Sequence, residues 1–540
     1  MLMAGLTSGG HDSAFCILEN GKPIMHIELE RIIRQKQPNG DAFQLLMDHY
    51  PEFKKIKYFT EIVHNAGHLL QDRYPYAFEL IKKITSKNGG DFFYVGHHQA
   101  HAANAFYSSN FEDALVVTMD GGGWDIVERQ EDGFDLCKIL TFTAWIGKDK
   151  KINPIFVSEE KRFNIGETWN YITKNVFGLN IGWPHGSQVG SVMAMASYGD
   201  PEKYYNHFKV LDFKHRSLYN EKQKNVFLDL VRLGKNNEKE QFDIAAALQK
   251  YTEDAMFNLI KQLLQQSGKN KLCLSGGVAL NCVMVGKMHT EFEDLVDDIY
   301  ICPVPYDAGL AIGAPQYIYH HTLENDRIKW ENNFTPYLGK EYSKQCILDT
   351  IEKYSELLSS ENKKLDDVLH MLDEGKIISL FHGGSESGRR ALGNRSIIAD
   401  PRNPDMKDII NQKVKHRQWY RPFAPSILKE CVKDWFVKDV NSPYMGKAIK
   451  FKEGKEKEVP AVNHVDNTAR LQTVTKEDNE LYYNLIKRWY EISGVPIVLN
   501  TSFNDREPIV ETPEDGIKCF LNTNIDHMYF LKHGILLSKK

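Results

Sequence analysis

The chain of 540 residues contains no run of 18 apolar residues, which speaks against a membrane span. Its first residues lead directly into a strand-like segment with no signal-peptide apolar core, so a cytoplasmic location is expected. It has no excess of positive charge. Lys and Arg number 67 against 72 Asp and Glu, a net charge of −5, so non-specific nucleic-acid binding is not expected and an anionic ligand needs a local basic cluster. None of the eight cysteines forms a Cys-x-x-Cys pair. They read as reduced, buried residues of a cytoplasmic protein. Internal repeats and low-complexity segments are also missing. What remains is an ordinary globular composition, 42% hydrophobic and 26% charged, in a chain too long for a single core, so two or three domains are expected.

The most informative stretch runs from His97 to Gly123. His97 and His101 stand four apart in the Ala-rich run His97-His98-Gln99-Ala100-His101-Ala102-Ala103, so on a helix both imidazoles share one face. Two neutral imidazoles on adjacent turns can ligate one divalent metal. The valine-rich segment Ala114–Met119 reads as a buried strand. It ends in Asp120-Gly121-Gly122-Gly123, where a carboxylate can complete a metal site and the amides of a Gly-rich turn can cradle phosphate. A second pair at the same spacing, His64 and His68, has no such sequel and reads as structural.

Other junctions repeat this grammar. Thr7-Ser8-Gly9-Gly10-His11 is a polar turn between apolar segments, the arrangement with which actin-like ATPase folds build their first phosphate loop. Asn20-Gly21 marks a hairpin turn. The charged run from Glu28 to Lys36 reads as a solvated helix face. Residues 160–260 read mainly as helix. The strand Lys271–Leu274 leads into Ser275-Gly276-Gly277, where glycines let backbone approach a ligand ahead of a helix N-terminus. The strand Ile299–Cys302 leads to Asp307 and Gly309. Three strand–glycine/acid–helix junctions in order point to a nucleotide site split between two α/β lobes. A polar, irregular stretch from 320 to 345 places a domain boundary near 340.

Beyond it lies a second chemical cluster. Gly383-Gly384-Ser385-Glu386 and Arg389-Arg390-Ala391-Leu392-Gly393-Asn394-Arg395 follow a strand, and Lys415, Arg417, Arg421 and Arg470 lie downstream. Glycines interleaved with cations suit a multiply anionic small molecule, the plain alternative being a salt-bridged basic surface. Arg421 is flanked by Trp419, Tyr420, Pro422 and Phe423; burying its guanidinium there without an anion would be costly. Asn500, Thr501 and Ser502 close a strand and suit contacts to a nucleotide or acyl group.

Taken together, these blocks resemble the O-carbamoyltransferases of antibiotic and nodulation-factor biosynthesis. The resemblance spans Gly5 to about Phe530 and rests on Gly96–His101, Asp120–Gly123, Ser275–Cys282, Arg390–Ser396, Arg421–Pro425 and Leu499–Asn504. It implies an α/β protein. A two-lobed actin-like (ASKHA) domain at 1–335 is joined through a linker at 336–345 to a YrdC-like α/β domain at 346–540. It also implies ATP and carbamoyl phosphate as co-substrates. The YrdC-like domain forms carbamoyl-adenylate, and the actin-like domain passes the carbamoyl group to the hydroxyl of a small-molecule acceptor, releasing AMP. Such a reactive anhydride belongs in sheltered cavities.

By the same resemblance, His97, His101, Asp120 and Asp307 hold a divalent metal, iron in the relatives, with Mn2+ or Mg2+ as alternatives. Gly121, Gly122, Ser275, Gly276, Gly277 and Asn281 line the nucleotide, His11 is the general base, and Lys36 lies near the same site. Arg390, Lys415, Arg421 and Arg470 hold carbamoyl phosphate or ATP phosphates, with Asn500 and Ser502 beside them. Three positions depart from the family pattern: Arg389 precedes Arg390 where relatives have proline, Ser191 follows Gly190 where they often have lysine, and Asp505-Arg506 stands where they often have glycine. Two other readings are a tRNA threonylcarbamoyl transferase, against which the lack of a basic stripe counts, and a catalytically inactive nucleotide sensor. Neither membrane nor nucleic acid is an expected partner. The oligomeric state, a homodimer included, is left open.

Overall fold

The computed structural model describes residues 1–63, 70–128, 136–159, 164–180, 188–211, 220–235 and 237–540; His64 and His68 lie outside them. The chain divides into two units, Met1–Trp330 and Glu331–Lys540. The stretch 336–345, expected as a linker, lies in the second unit, where the Gly339 amide donates to the Ser385 carbonyl at 3.0 Å.

The first unit contains one sheet plan twice. Strands β1 (Leu2–Thr7), β2 (Ala14–Glu19), β3 (Lys22–Glu28), β4 (Tyr58–Ile62) and β5 (Phe92–Val95) lie in the order β3-β2-β1-β4-β5. The first three are antiparallel and the last two run parallel to β1. Asn20 and Gly21, at φ 50° and 83°, make the two-residue turn that matches strand twist between β2 and β3. Strands β6 (Asp113–Glu128), β7 (Leu136–Lys148), β8 (Lys151–Glu159), β9 (Lys271–Ser275) and β10 (Asp298–Ile301) repeat the plan, in the order β10-β9-β6-β7-β8. An antiparallel triplet is again flanked by two parallel strands. No sequence repeat announces this duplication, because hydrophobic patterning can be kept while residue identity is lost.

Each lobe packs against a helix that follows the other lobe's last strand. The helix His97–Ser108 follows β5, yet Ala102, Ala105 and Phe106 share a core with Val116 of β6 and Cys273 of β9. The helix Leu310–Gln316 follows β10 and packs on β1, where a Cβ on Gly5 would stand 2.0 Å from the Ala311 carbonyl oxygen. The two helices cross at Gly313, where a Cβ would lie 1.9 Å from the Ala100 oxygen, so only glycine permits the approach.

The second unit is built on one mixed sheet of nine strands, β11 (Leu358–Asn362), β12 (Ile378–Phe381), β13 (Arg395–Ala399), β14 (Ala424–Leu428), β15 (Lys447–Lys450), β16 (Thr468–Val474), β17 (Ile497–Ser502), β18 (His527–Phe530) and β19 (Ile535–Lys539). Their order is β11-β19-β18-β12-β13-β17-β14-β16-β15. Alternate residues of its central strands enter two cores. Ile397, Ile427 and Leu499 belong to one, and Ile398, Leu428 and Val498 to the other. With both faces covered, these strands read as continuous apolar runs.

Candidate functional site

The helix His97–Ser108 buries every residue except Gln99. Its ends are closed by charged side chains. At the N-terminus, the Asp125 carboxylate accepts the His98 amide at 2.9 Å and the Gln99 amide at 3.2 Å. At the C-terminus, the Arg327 guanidinium stacks over Phe106 and donates to the carbonyls of Phe106, at 2.7 Å, and Ser109, at 2.9 Å. Both ends of a buried helix are thereby satisfied.

Asp120-Gly121-Gly122-Gly123, expected as a turn at a strand end, lies within β6. Pairing with β7 resumes at Gly123 opposite Leu140 after Met119 opposite Phe142, so the extra residues form a bulge. The Gly121 amide, expected to face phosphate, donates to Asp120 Oδ1 at 2.7 Å. Gly123 serves a different need: a Cβ there would fall 2.0 Å from the His97 ring. The bulge therefore aims Asp120 at the helix, and the glycine admits the imidazole.

His97 Nε2 and His101 Nε2 both lie 3.0 Å from Asp120 Oδ2 and 3.1 Å from each other. Asp307 Oδ1 stands 3.8 and 3.6 Å from the same nitrogens. One donor atom from each of the four residues falls within 4.8 Å of all the others. Donors about 2.1 Å from a shared cation lie about 3.0–3.4 Å from their neighbours; His97, His101 and Asp120 stand at that separation and Asp307 a few tenths of an ångström beyond it, so a divalent metal would draw Asp307 slightly inward. Burial lowers the proton affinity of His101, but hydrogen bonds to Asp120 and Asp307 outweigh it and raise its pKa to about 9. The Asp120 carboxyl is held well below the usual carboxylate range by the same histidines, against the opposing effect of burial.

His11 reaches the cluster from the β1–β2 turn, with Nε2 3.7 Å from Asp307 Oδ2 and Nδ1 2.8 Å from Asp12 Oδ2. Ser275 contacts His101 Nδ1 at 3.2 Å and the Pro305 carbonyl at 3.3 Å, so its hydroxyl orients a cluster imidazole. The Gly276 amide donates to the same carbonyl at 2.7 Å, and a Cβ on Gly277 would lie 3.2 Å from Asp120 Oδ1. Asn281 caps the helix Cys282–Glu291 by accepting the Met284 amide at 3.1 Å and exchanges hydrogen bonds with Gln249. Lys36 is half-buried beside Gln37, whose amide donates to Glu30.

The charged run around it corrects the expectation of a solvated face: Glu28, Glu30 and Arg31 are buried. Glu28 is reached by Tyr306 Oη from a distant part of the chain, and Glu30 accepts the Gln37 amide from the turn that follows. Sequence reasoning missed Asp125 and Glu28. A second acid five residues after Asp120 was the visible signal for Asp125. Glu28 carried none, since its partner lies 278 residues away.

In the second unit, Lys415 is buried, and its ammonium donates to the Ser502 carbonyl and, at 2.8 and 2.7 Å, to the carbonyl and side-chain oxygens of Asn504. Ser502 Oγ lies 3.4 Å from the same ammonium. Arg421 and Arg470 are close enough to repel, and burial together with Arg470 lowers the Arg421 pKa to about 10. Arg417, cited in the sequence for charge alone, joins them: burial and both neighbours push its pKa well down. Its Nε donates to Asn411 Oδ1 at 2.7 Å and its plane stacks on Phe423. Arg390 is half-buried in the β12–β13 turn. That turn is tied by Glu386 Oε1, which accepts the amides of Leu392, Asn394 and Arg395 at 2.7, 2.8 and 3.2 Å. The Asn500 amide donates to Ala391 O, Ser426 Oγ and Gln472 Oε1.

Residues 39–315 match the family model for the carbamoyltransferase N-terminus, and residues 369–537 match that for the carbamoyltransferase C-terminus. The chain belongs to the carbamoyltransferase family. This carbamoyltransferase is 32% identical to the nodulation protein NolO of Bradyrhizobium diazoefficiens over 80% of its own length and 77% of that protein. It is 31% identical to NolNO of Sinorhizobium fredii over 96% of its length and 77% of the relative. Among solved structures, full-length HypF in its phosphate- and nucleotide-bound form covers 60% of the carbamoyltransferase and 56% of HypF, at 15% identity and a TM-score of 0.35. The enzyme is a transferase of carbamoyl groups. No helix among its described residues is long and apolar enough to cross a membrane.

Proposed function

We propose that the enzyme is an ATP-dependent O-carbamoyltransferase. The second unit, read as a YrdC-like domain, forms carbamoyl-adenylate from carbamoyl phosphate, ATP and water with release of phosphate and pyrophosphate, and the first unit transfers the carbamoyl group to a small-molecule hydroxyl and releases AMP. The observation that carries this reading is the cluster of His97, His101, Asp120 and Asp307 with the His11 ring 3.7 Å from Asp307. These four side chains would hold a divalent cation, Fe2+ being well suited to two imidazoles and two carboxylates, with Mn2+ or Mg2+ as alternatives. When bound, that cation supplies Lewis-acid polarisation of a carbonyl or phosphate oxygen.

The residues of the chain do the rest. His11, partly exposed and hydrogen-bonded at Nδ1 to Asp12, takes the acceptor hydroxyl proton at Nε2. Arg417, Arg421 and Arg470 bind phosphate oxygens, whose negative charge relieves the repulsion among three crowded guanidiniums. Arg390, half-buried in the β12–β13 turn, is read as a further phosphate ligand on the family resemblance. A net charge of −5 favours a small-molecule acceptor over nucleic acid.

The test separates the two half-reactions. Carbamoyl-phosphate-dependent pyrophosphate release from ATP is measured without acceptor, and AMP release with acceptor. His101→Ala should abolish transfer and leave pyrophosphate release near wild type. Full transfer by His101→Ala in the presence of a strong chelator would overturn the reading.

A further inference from the structure

Asp307 holds an unusual position in the site. It follows β10 in sequence, yet it sits in a loop whose residues are tied from two lobes. The second lobe holds its approach: Asn104 Nδ2 donates to the Val304 carbonyl at 2.9 Å, and Ser275 and Gly276 hold that of Pro305. The residues immediately flanking Asp307 are held by β3 of the first lobe. Tyr306 Oη donates to Glu28 Oε2 at 2.6 Å, and His26 Nε2 donates to the Ala308 carbonyl at 2.9 Å. Tyr306, Glu28 and His26 are each no more than 4% exposed, so these bonds form away from water.

We propose that Glu28 and His26 are positioning residues for Asp307: through Tyr306 and the Ala308 carbonyl they fix the carboxylate against His97 and His101. This inference rests on the metal reading given above. The geometry requires such support. Asp307 stands at the very start of the turn Asp307–Gly309 that leads into the helix Leu310–Gln316, where no preceding helical turn holds it. Its Oδ1 must be held near two imidazole nitrogens that the helix fixes independently. A pin on the residue before and another on the residue after fixes the backbone from which the carboxylate projects. Groups that orient metal ligands in this way are commonly worth about 10- to 100-fold in metal affinity.

Mn2+ titrated calorimetrically into the metal-free full-length protein provides the test, with thermal unfolding of the metal-free protein recorded beside it. Wild type should bind one equivalent. Asp307→Ala sets the affinity that remains when the carboxylate is lost. Tyr306→Phe and His26→Leu should weaken binding about 10- to 100-fold without passing that floor. His26→Gln, whose amide can still donate to the Ala308 carbonyl, should recover much of the loss. A merely structural role would lower the unfolding temperature and leave affinity untouched. Wild-type affinity in folded Tyr306→Phe and His26→Leu, with Asp307→Ala weakened, overturns the positioning role and leaves the metal site standing. Should Tyr306→Phe not fold, the His26→Leu and His26→Gln pair decides alone. Absence of Mn2+ binding by wild type overturns both the metal site and the latch.

Discussion

Asp125 accepts the His98 amide with both carboxylate oxygens, at 3.0 and 2.9 Å, and so fixes the first turn of the helix that carries His97 and His101. The same strand β6 supplies Asp120 to the cluster. One strand thus orients two imidazoles and faces them with a carboxylate. Asp125→Ala should lower stability by about 1–2 kcal/mol, the usual cost of a lost N-cap, and weaken Mn2+ binding. Asp125→Asn should cost less, because an amide oxygen can still accept. Denaturant unfolding beside metal titration would check both, and an unchanged midpoint in Asp125→Ala would refute the capping role.

His11 lies closer to the cluster than its place in a glycine-rich turn guaranteed. His11→Asn should slow carbamoyl transfer about 100-fold or more while leaving pyrophosphate release intact, as expected for a lost general base. Normal transfer by this variant from supplied carbamoyl-adenylate would reduce His11 to a structural role.

Arg421→Lys keeps a charge but loses the planar fork, at a cost of about 1.5–3 kcal/mol, or roughly ten- to a hundredfold in activation. Arg417→Ala should fall in the same range, although the residue offers Asn411 and Phe423 as structural partners too. Wild-type pyrophosphate release from both variants would show the three arginines to be a structural cluster that holds no phosphate.

The buried His382 carries a pH dependence of stability. Burial, and then the charge of Arg395, lower its pKa from 6.5 to about 3. Between those values the unfolded chain binds a proton that the folded unit refuses, so stability is full above pH 6.5 and falls as the pH drops towards 3. His382→Asn should flatten the decline in unfolding temperature between pH 6.5 and 5. Equal slopes for variant and wild type would remove His382 as the cause.

Much of this was legible in the sequence because it is local. Spacing places His97 and His101 on one helical face, and Asn20-Gly21 specifies its own turn. The glycines after Asp120 misled, since a strand that bulges and a strand that ends share the same residues. The burial of Glu28 was hidden for a different reason: charge reads as exposure until a partner is known, and Tyr306 is far away in the chain. Arg417 shows the converse case. Its charge was plain, but its packing against Phe423 and its closeness to Arg421 and Arg470 belong to the tertiary fold.

The exchange of helices between the two sheets divides the donor set unequally. His97, His101 and Asp120 travel with the second sheet, through the core that the helix His97–Ser108 shares with β6 and β9. Asp307 leads into the helix packed on β1 and is gripped by β3, beside His11. Neither sheet alone therefore presents all four donors, and the set is complete only while both sheets hold their side chains in place.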